Sequence, residues 1–176
     1  MLTKPTASSA YLGAIWSNTA NAYDQPTVKG DTTTYATGSA TRAVAGSVTR
    51  GAQWSAFTAF PNGYTFSAKR LVITAQANTL INDGGAAFFA IEYFNGTSWI
   101  SVAYVEVAEG APQTYSIELG AGANESAILV RAWVTADSDG SGTSSATASM
   151  FDICIEGDVL TAPAGAGKKA LAMTGC

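Results

Sequence analysis

Residues 86–107, AAFFAIEYFNGTSWISVAYVEV, decide the fold of this chain. Their centre is Asn95-Gly96, the dipeptide that most readily supplies the two positive-φ residues of a tight hairpin turn. The residues on either side alternate in the manner of two strands, which predicts a hairpin joined at this turn. Because both arms carry apolar side chains on both faces, we expect central strands covered on two sides rather than an edge strand.

Short segments with the same alternation recur along the chain, for example at residues 69–77, 127–136 and 146–156. Gly, Pro and Asn separate them, and no segment shows sustained helical periodicity. Roughly eight to ten strands at short, regular spacing predict an all-β fold, an antiparallel β-sandwich or jelly roll. We expect residues 1–157 to form this domain. Residues 158–176 are rich in Ala and Gly, and we expect an extended tail that docks on a neighbouring subunit.

Composition limits the classes of partner. The chain has 176 residues, a formal net charge of −4 and only nine Lys and Arg residues, which are scattered. A nucleic-acid surface normally shows clustered Lys and Arg, so we expect no nucleic-acid partner. No apolar run approaches the ~18–20 residues that span a bilayer, so we expect no membrane partner. The N-terminus lacks the continuous apolar core of a signal peptide.

The residues that carry catalysis are scarce. The chain contains no histidine, which removes the commonest general base and the commonest transition-metal ligand. No phosphate-binding loop, nucleotide fingerprint or zinc spacing is present. Three glutamates on neighbouring predicted strands could form a carboxylate row, but a solvated face or pairing with basic side chains is favoured. These glutamates are Glu92, Glu106 and Glu118, and the basic residues are Lys69, Arg70 and Arg131. We therefore expect no enzymatic activity.

The two cysteines are Cys154 and Cys176. Cys154 lies in an apolar strand pattern, which favours a small buried hydrophobe over a reactive thiol. Cys176 is the last residue, and neither cysteine has the spacing of a disulfide framework.

Three short motifs occur in an order that carries a family resemblance. Residues 21–24 read Asn-Ala-Tyr-Asp and residues 30–35 read Gly-Asp-Thr-Thr-Thr-Tyr. The hairpin continues with Gly-Thr-Ser-Trp at residues 96–99, and residues 151–157 read Phe-Asp-Ile-Cys-Ile-Glu-Gly. Together they resemble the opening, the G-x-x-W strand start and the closing strand of discoidin-type (galactose-binding-like) jelly-roll domains. One departure is an insertion, residues 25–29, between the two parts of the opening motif.

The resemblance implies a structural Ca²⁺ ion, because the family often carries one near these two ends of the domain. Carried over by motif, the implied ligands are Asp24, Asp31, Thr34 and Asp152. Hard oxygen donors on a loop beside a strand end suit Ca²⁺. In the alternative, Asp24 and Asp31 cap turns through Asx hydrogen bonds and Asp152 faces solvent. The insertion favours this alternative because it disturbs the loop that would supply backbone carbonyls. We expect no other cofactor.

Two non-catalytic functions fit these observations. The first is a structural component of a multisubunit particle, a bacteriophage virion protein such as a head-decoration, fibre or tail accessory protein. It would form a homo-oligomer or assemble with other virion proteins, and it would be made in the host cytoplasm and located in the virion. The low charge, the absence of histidine and the abundance of small residues favour this interpretation. The alternative is a carbohydrate-binding module or adhesin, the common use of discoidin-like domains.

A carbohydrate site stacks sugars on exposed aromatic rings. Five aromatic residues are available for this: Tyr23, Tyr35, Trp54, Tyr64 and Trp99. Trp54 and Trp99 lie in apolar alternation and are expected in the core. Tyr23 and Tyr35, which lie in turn-rich sequence, are therefore the candidate residues for stacking a surface glycan.

Overall fold

The computed structural model describes residues 1–13, 16–22, 35–81, 85–105 and 110–163. These residues form ten strands and two short 3₁₀ turns, Thr19–Ala22 and Glu125–Ala127. The strands are β1 (Leu2–Thr3), β2 (Ala7–Gly13), β3 (Ala36–Arg42), β4 (Gly46–Ser55), β5 (Thr65–Ile81), β6 (Ala86–Phe94), β7 (Trp99–Val105), β8 (Gln113–Glu118), β9 (Leu129–Ser138) and β10 (Ser144–Thr161). Within the described ranges, no helix has the length and apolar character required to cross a membrane.

The strands form two antiparallel sheets. Sheet A has the order β1-β10-β5-β8, and β3 pairs with the first half of β10. Sheet B has the order β2-β4-β9-β6-β7. The two sheets enclose one hydrophobic core, so the prediction of an all-β antiparallel sandwich is confirmed.

The core consists of the alternate side chains that each sheet turns towards the other. Sheet A supplies branched aliphatic and sulfur-containing side chains, and sheet B supplies aromatic and branched ones. The large, fully buried side chains of the core include Leu71, Ile73, Met150, Ile153 and Ile155 from sheet A, and Trp54, Phe89, Ile91 and Val130 from sheet B. Because the side-chain period of a strand is two, the intervening residues of these strands lie on the outer faces of the sandwich.

A bulge in β10 changes which alternate residues face the core. The pairing with β5 shifts between Met150 and Asp152, which leaves Phe151 as the extra residue. Even-numbered Met150 is therefore a core residue on one side of the bulge, and odd-numbered Ile153 is a core residue on the other. Asp152 consequently lies on the outer side of sheet A.

The predicted hairpin forms as β6 and β7, with two differences. Only Gly96 in the turn has a positive φ, +98°, and the side-chain oxygen of Asn95 accepts the backbone N–H groups of Thr97 and Ser98, each at 2.9 Å. An Asx arrangement thus replaces the second positive-φ residue. The second difference concerns β7, which lies at the edge of sheet B. The expectation that both arms are central strands is therefore wrong for β7.

The last strand extends beyond the boundary placed at Gly157. Strand β10 continues to Thr161, where it pairs with Thr65 at the start of β5. At the boundary itself, the backbone N–H of Gly157 donates to the carbonyl of Met1 at 2.7 Å. The first residues assigned to the tail therefore belong to sheet A. Residues 164–176 lie outside the described residues, and docking of the tail on a neighbouring subunit stays a prediction.

Cys154 lies on the outer side of sheet A, where it is fully buried and packs with Val72 and Leu2. Its burial agrees with the interpretation as a small apolar residue. Cys154 is, however, disulfide-bonded, so the expectation that it takes no part in a disulfide is wrong. Cys176 lies outside the described residues.

Candidate functional site

A second bulge turns a tryptophan out of the core. The pairing of β6 with β7 skips Val102. Odd-numbered residues of β7 before Val102 therefore face away from the core, and odd-numbered residues after it face towards the core. Ala103 packs against the core, whereas Trp99 lies on the outer face of sheet B against Phe94, at a ring-centroid distance of 5.4 Å. The prediction that Trp99 is a core residue is wrong for this reason.

The outer face of sheet B gathers aromatic rings around one arginine. We define the aromatic face as Tyr11, Glu92, Trp99, Arg131 and Trp133. The guanidinium carbon of Arg131 lies 3.7 Å from the ring centroid of Trp99 and 4.6 Å from that of Tyr11. Tyr11 and Trp133 meet edge to face at 5.5 Å. Four strands, β2, β9, β6 and β7, thus contribute to one cluster of π faces and polar groups.

The Arg131 side chain is fixed by Glu92, its register partner across β9 and β6. Its Nε and Nη2 both donate to Oε2 of Glu92, at 2.8 and 2.5 Å. The predicted pairing of these two residues is confirmed. Glu118 lies in the other sheet, 3.8 Å from Arg70, so Glu92 and Glu118 form no carboxylate row. Glu106 lies outside the described residues.

The aromatic face is accessible. Tyr11, Trp99 and Trp133 are each half-buried, so part of every ring meets solvent. Further along the same hairpin, Phe88 and Tyr104 stack at 5.1 Å, and Tyr104 is 60% exposed. A strand rises about 3.3 Å per residue, so Phe88 and Phe94, which are six residues apart on β6, lie roughly 20 Å from each other.

Of the two residues predicted for glycan stacking, the one that the structure describes, Tyr35, lies elsewhere. Tyr35 is exposed and meets Phe151 edge to face at 5.4 Å, on the side of sheet A. It is therefore not brought to the aromatic face, and its role in stacking stays a prediction. Tyr23 lies outside the described residues. Trp54 is fully buried, and its Nε1 donates to the carbonyl of Thr19 at 3.0 Å, so its placement in the core is confirmed.

The ion pair of Arg131 was predicted from the sequence, but its place among aromatic rings was not, and neither Tyr11 nor Trp133 was predicted as a site residue. A signal for two of them is present in β9, where Arg131 and Trp133 alternate with the core residues Val130, Ala132 and Val134. A tryptophan on the polar side of an alternating strand is the feature that distinguishes an aromatic surface from a core strand. Tyr11 carried no such signal, because its sequence neighbours Ala10 and Leu12 are both apolar and no alternation sets it apart from a core residue.

Of the four residues implied as Ca²⁺ ligands, only Asp152 is described; Asp24, Asp31 and Thr34 lie outside the described residues. Asp152 is 2% exposed, so the alternative that it faces solvent is wrong. The Lys4 ammonium lies 3.4 Å from its Oδ1. In the described ranges, no three Asp, Glu or Cys side chains come together as a metal site. The calcium site stays a prediction.

Burial raises the pKa of the Asp152 carboxyl, and Lys4 offsets only part of this effect. A carboxyl group whose pKa is raised in the folded state destabilises the fold when it is ionised. This destabilisation is fully present at a pH above the pKa of the folded state and is absent at a pH below the pKa of the unfolded state. Asp152→Asn is therefore expected to raise the free energy of unfolding at pH 7 and to give no gain near pH 3. Urea unfolding at the two pH values measures this.

Asp158→Asn is the matched control, since Asp158 lies on the same strand but is exposed and pairs with Arg70 at 2.9 Å. We expect no stabilisation from that change at either pH. A lower stability of Asp152→Asn than of the unchanged chain at pH 7 would show that Asp152 is held by favourable contacts that outweigh its burial.

Comparisons with known proteins give distant likenesses. No protein-family model matches the chain, and no curated protein matches it. The structure of TmCBM61 in complex with beta-1,4-galactotriose aligns with 90% of this chain and 88% of that chain, at 10% identity and a TM-score of 0.44. The Yersinia pseudotuberculosis-derived mitogen aligns with 67% of this chain and 85% of that one, at 14% identity and a TM-score of 0.35. A chain of infectious bursal disease virus, Gx strain, aligns with 81% of this chain and 37% of that one, at 15% identity and a TM-score of 0.25. These values place the chain in no family.

Proposed function

We propose that this chain is a non-catalytic carbohydrate-binding domain and that the aromatic face is its glycan site. One observation carries the proposal: three half-exposed aromatic rings surround a hydrogen-bonded Arg131–Glu92 pair on the outer face of sheet B. The outer side of a solvent-facing sheet is ordinarily polar, because only its inner side is needed for the core. An aromatic outer face is typical of a surface that binds a partner.

The chemistry of this face suits a sugar. A sugar ring presents an apolar C–H side and a rim of hydroxyl groups. Tyr11, Trp99 and Trp133 offer ring surface for the apolar side, and the indole N–H and phenol O–H groups supply hydrogen bonds. Within the described part of the chain, the second carboxylate oxygen of Glu92, Oε1, makes no hydrogen bond and is available to accept one from a hydroxyl group.

The charge of the site selects a neutral glycan. Arg131 alone would attract carboxylated or sulfated sugars, but Glu92 cancels its charge at hydrogen-bond distance. The net charge of the chain, −4, further disfavours an acidic polymer. The expected ligand is therefore an uncharged oligosaccharide or polysaccharide.

Affinity electrophoresis tests this proposal directly. The chain is run through native gels that contain neutral polysaccharides (glucans, galactans, mannans and xylans) or acidic ones (polygalacturonate and alginate). We expect retardation by at least one neutral polymer, unchanged by salt, and none by the acidic polymers. Retardation by acidic polymers that salt abolishes would indicate charge attraction instead. No retardation by any polymer, with a glycan array also blank, would contradict the proposal.

The interpretation as a component of a bacteriophage virion stays a prediction, as do its homo-oligomeric or virion partners and its location in the particle. A particle component can also bind glycans, so the two functions are compatible. Light scattering on the full chain tests the assembly interpretation: a defined oligomer supports it, and a monomer at high concentration counts against self-assembly.

A further inference from the structure

We propose a second ligand site at one end of the sandwich, which takes a single neutral sugar unit or a similar polyol. The site, called the end pocket below, is a cavity of about 450 Å³ where the chain enters β5 and where the loop before β9 passes over it. Its lining includes Phe60, Asn62, Tyr64, Phe66, Lys69 and Glu125. It shares no residue with the aromatic face, and its argument does not depend on the function proposed for that face.

One wall of the end pocket is aromatic. Phe60 and Phe66 stack at a centroid distance of 4.6 Å with an interplanar angle of 29°. Gly157 of β10 lies directly against them, and a Cβ atom at that position would come within 2.5 Å of the Phe66 ring. Because Gly157 has no side chain, the two rings can pack directly against the backbone of β10. Tyr64 is half-buried beside them and offers further ring surface.

The floor of the end pocket is a buried ion pair. Lys69 and Glu125 are 8% and 6% exposed and their charged groups are in contact. The Lys69 ammonium also donates to the carbonyl of Ala123 at 2.8 Å and lies 5.0 Å from the ring centroid of Phe66. A buried ion pair generally adds little stability compared with apolar side chains of the same volume. The Lys69–Glu125 pair is explained if the end pocket needs polar groups at its floor to bind a ligand.

These features define the class of ligand. The two buried charges cancel, so an anion would be opposed by Glu125 and a cation by Lys69. The aromatic wall suits an apolar C–H surface, and the exposed side chain of Asn62 supplies an amide donor and acceptor at the rim. The volume lies within the range of about 300–1,000 Å³ that is usual for small-molecule sites. A neutral molecule with both C–H and hydroxyl surface satisfies all of these conditions.

The test is a titration of the ¹⁵N-labelled full chain with the methyl glycosides of glucose, galactose, mannose and xylose, followed by backbone amide shifts. Glucuronate and glucosamine serve as charged comparators. We expect saturable shifts at residues 62–69 and 121–126 with at least one neutral glycoside, and weaker binding of both charged sugars. Tyr64→Ala is expected to weaken the binding at least tenfold, and Tyr64→Phe, which keeps the ring, less than threefold.

Trp99→Ala is the control that separates the two sites, because it alters the aromatic face and leaves the end pocket intact. Shifts at residues 62–69 that persist in this variant support the end pocket, whatever happens at the aromatic face. Shifts confined to residues 92, 99 and 131 overturn the end pocket and leave the proposed function standing. The absence of shifts near the end pocket up to the solubility limit of every glycoside also overturns it. Preferential binding of a charged sugar overturns the assigned ligand class.

Discussion

Trp99→Ala is expected to weaken binding of the recognised neutral glycan at the aromatic face at least tenfold, which corresponds to about 1.4 kcal/mol. Trp99 supplies one of the two indole rings of this face and packs against Arg131, whose guanidinium carbon lies 3.7 Å from the ring centroid. Alanine removes both the stacking surface and the contact that orients Arg131. The loss of affinity therefore exceeds what the ring area alone would give.

Isothermal titration with the polysaccharide identified by electrophoresis measures the effect. Leu160→Ala is the matched control, since Leu160 is a large apolar side chain, 69% exposed, on the other sheet. That variant is expected to bind as the unchanged chain does. The affinity of Trp99→Phe should lie between those of Trp99→Ala and the unchanged chain, because phenylalanine keeps an aromatic ring of smaller area. Equal affinities of Trp99→Ala and the unchanged chain would remove the aromatic face as the glycan site.

Trp54→Ala is expected to lower the free energy of unfolding by about 3–5 kcal/mol, the usual range for deleting a large buried aromatic side chain. Trp54 is completely buried and packs edge to face on Trp16 at 5.8 Å. Its indole also satisfies the carbonyl of Thr19, which would be left without that partner. The free energy of unfolding of a domain is only about 5–15 kcal/mol, so this one substitution removes a large part of it.

Urea unfolding followed by fluorescence of the remaining tryptophans measures the loss. Trp99→Ala is the same substitution at a half-buried position, so it serves as the control and is expected to lose less than half as much. If Trp54→Ala fails to fold, Trp54→Phe gives a smaller loss that can still be measured. A loss from Trp54→Ala no greater than that from Trp99→Ala would contradict the assignment of Trp54 to the core.

The two tryptophans illustrate how much of the site could be predicted. Both lie in apolar alternation, which predicts a core position for each, yet only Trp54 is there. The difference arises at Val102, where one unpaired residue reverses the faces of β7. A bulge depends on how the partner strand pairs, so alternation within β7 cannot reveal it. The same limit applies to Phe151 in β10, which shifts the face on which Asp152 lies.

The sequence by itself determined the strand-rich class, the position of the hairpin around Asn95 and Gly96, and the two-layer sandwich. These features follow from period-two alternation and turn chemistry, which act over a few neighbouring residues. The tertiary structure alone decided that Tyr11, Arg131 and Trp99 meet. Their strands are distant in sequence and become neighbours only through the sheet order β2-β4-β9-β6-β7. The candidate glycan site exists because long-range strand pairing, and not local pattern, brings these side chains to one face.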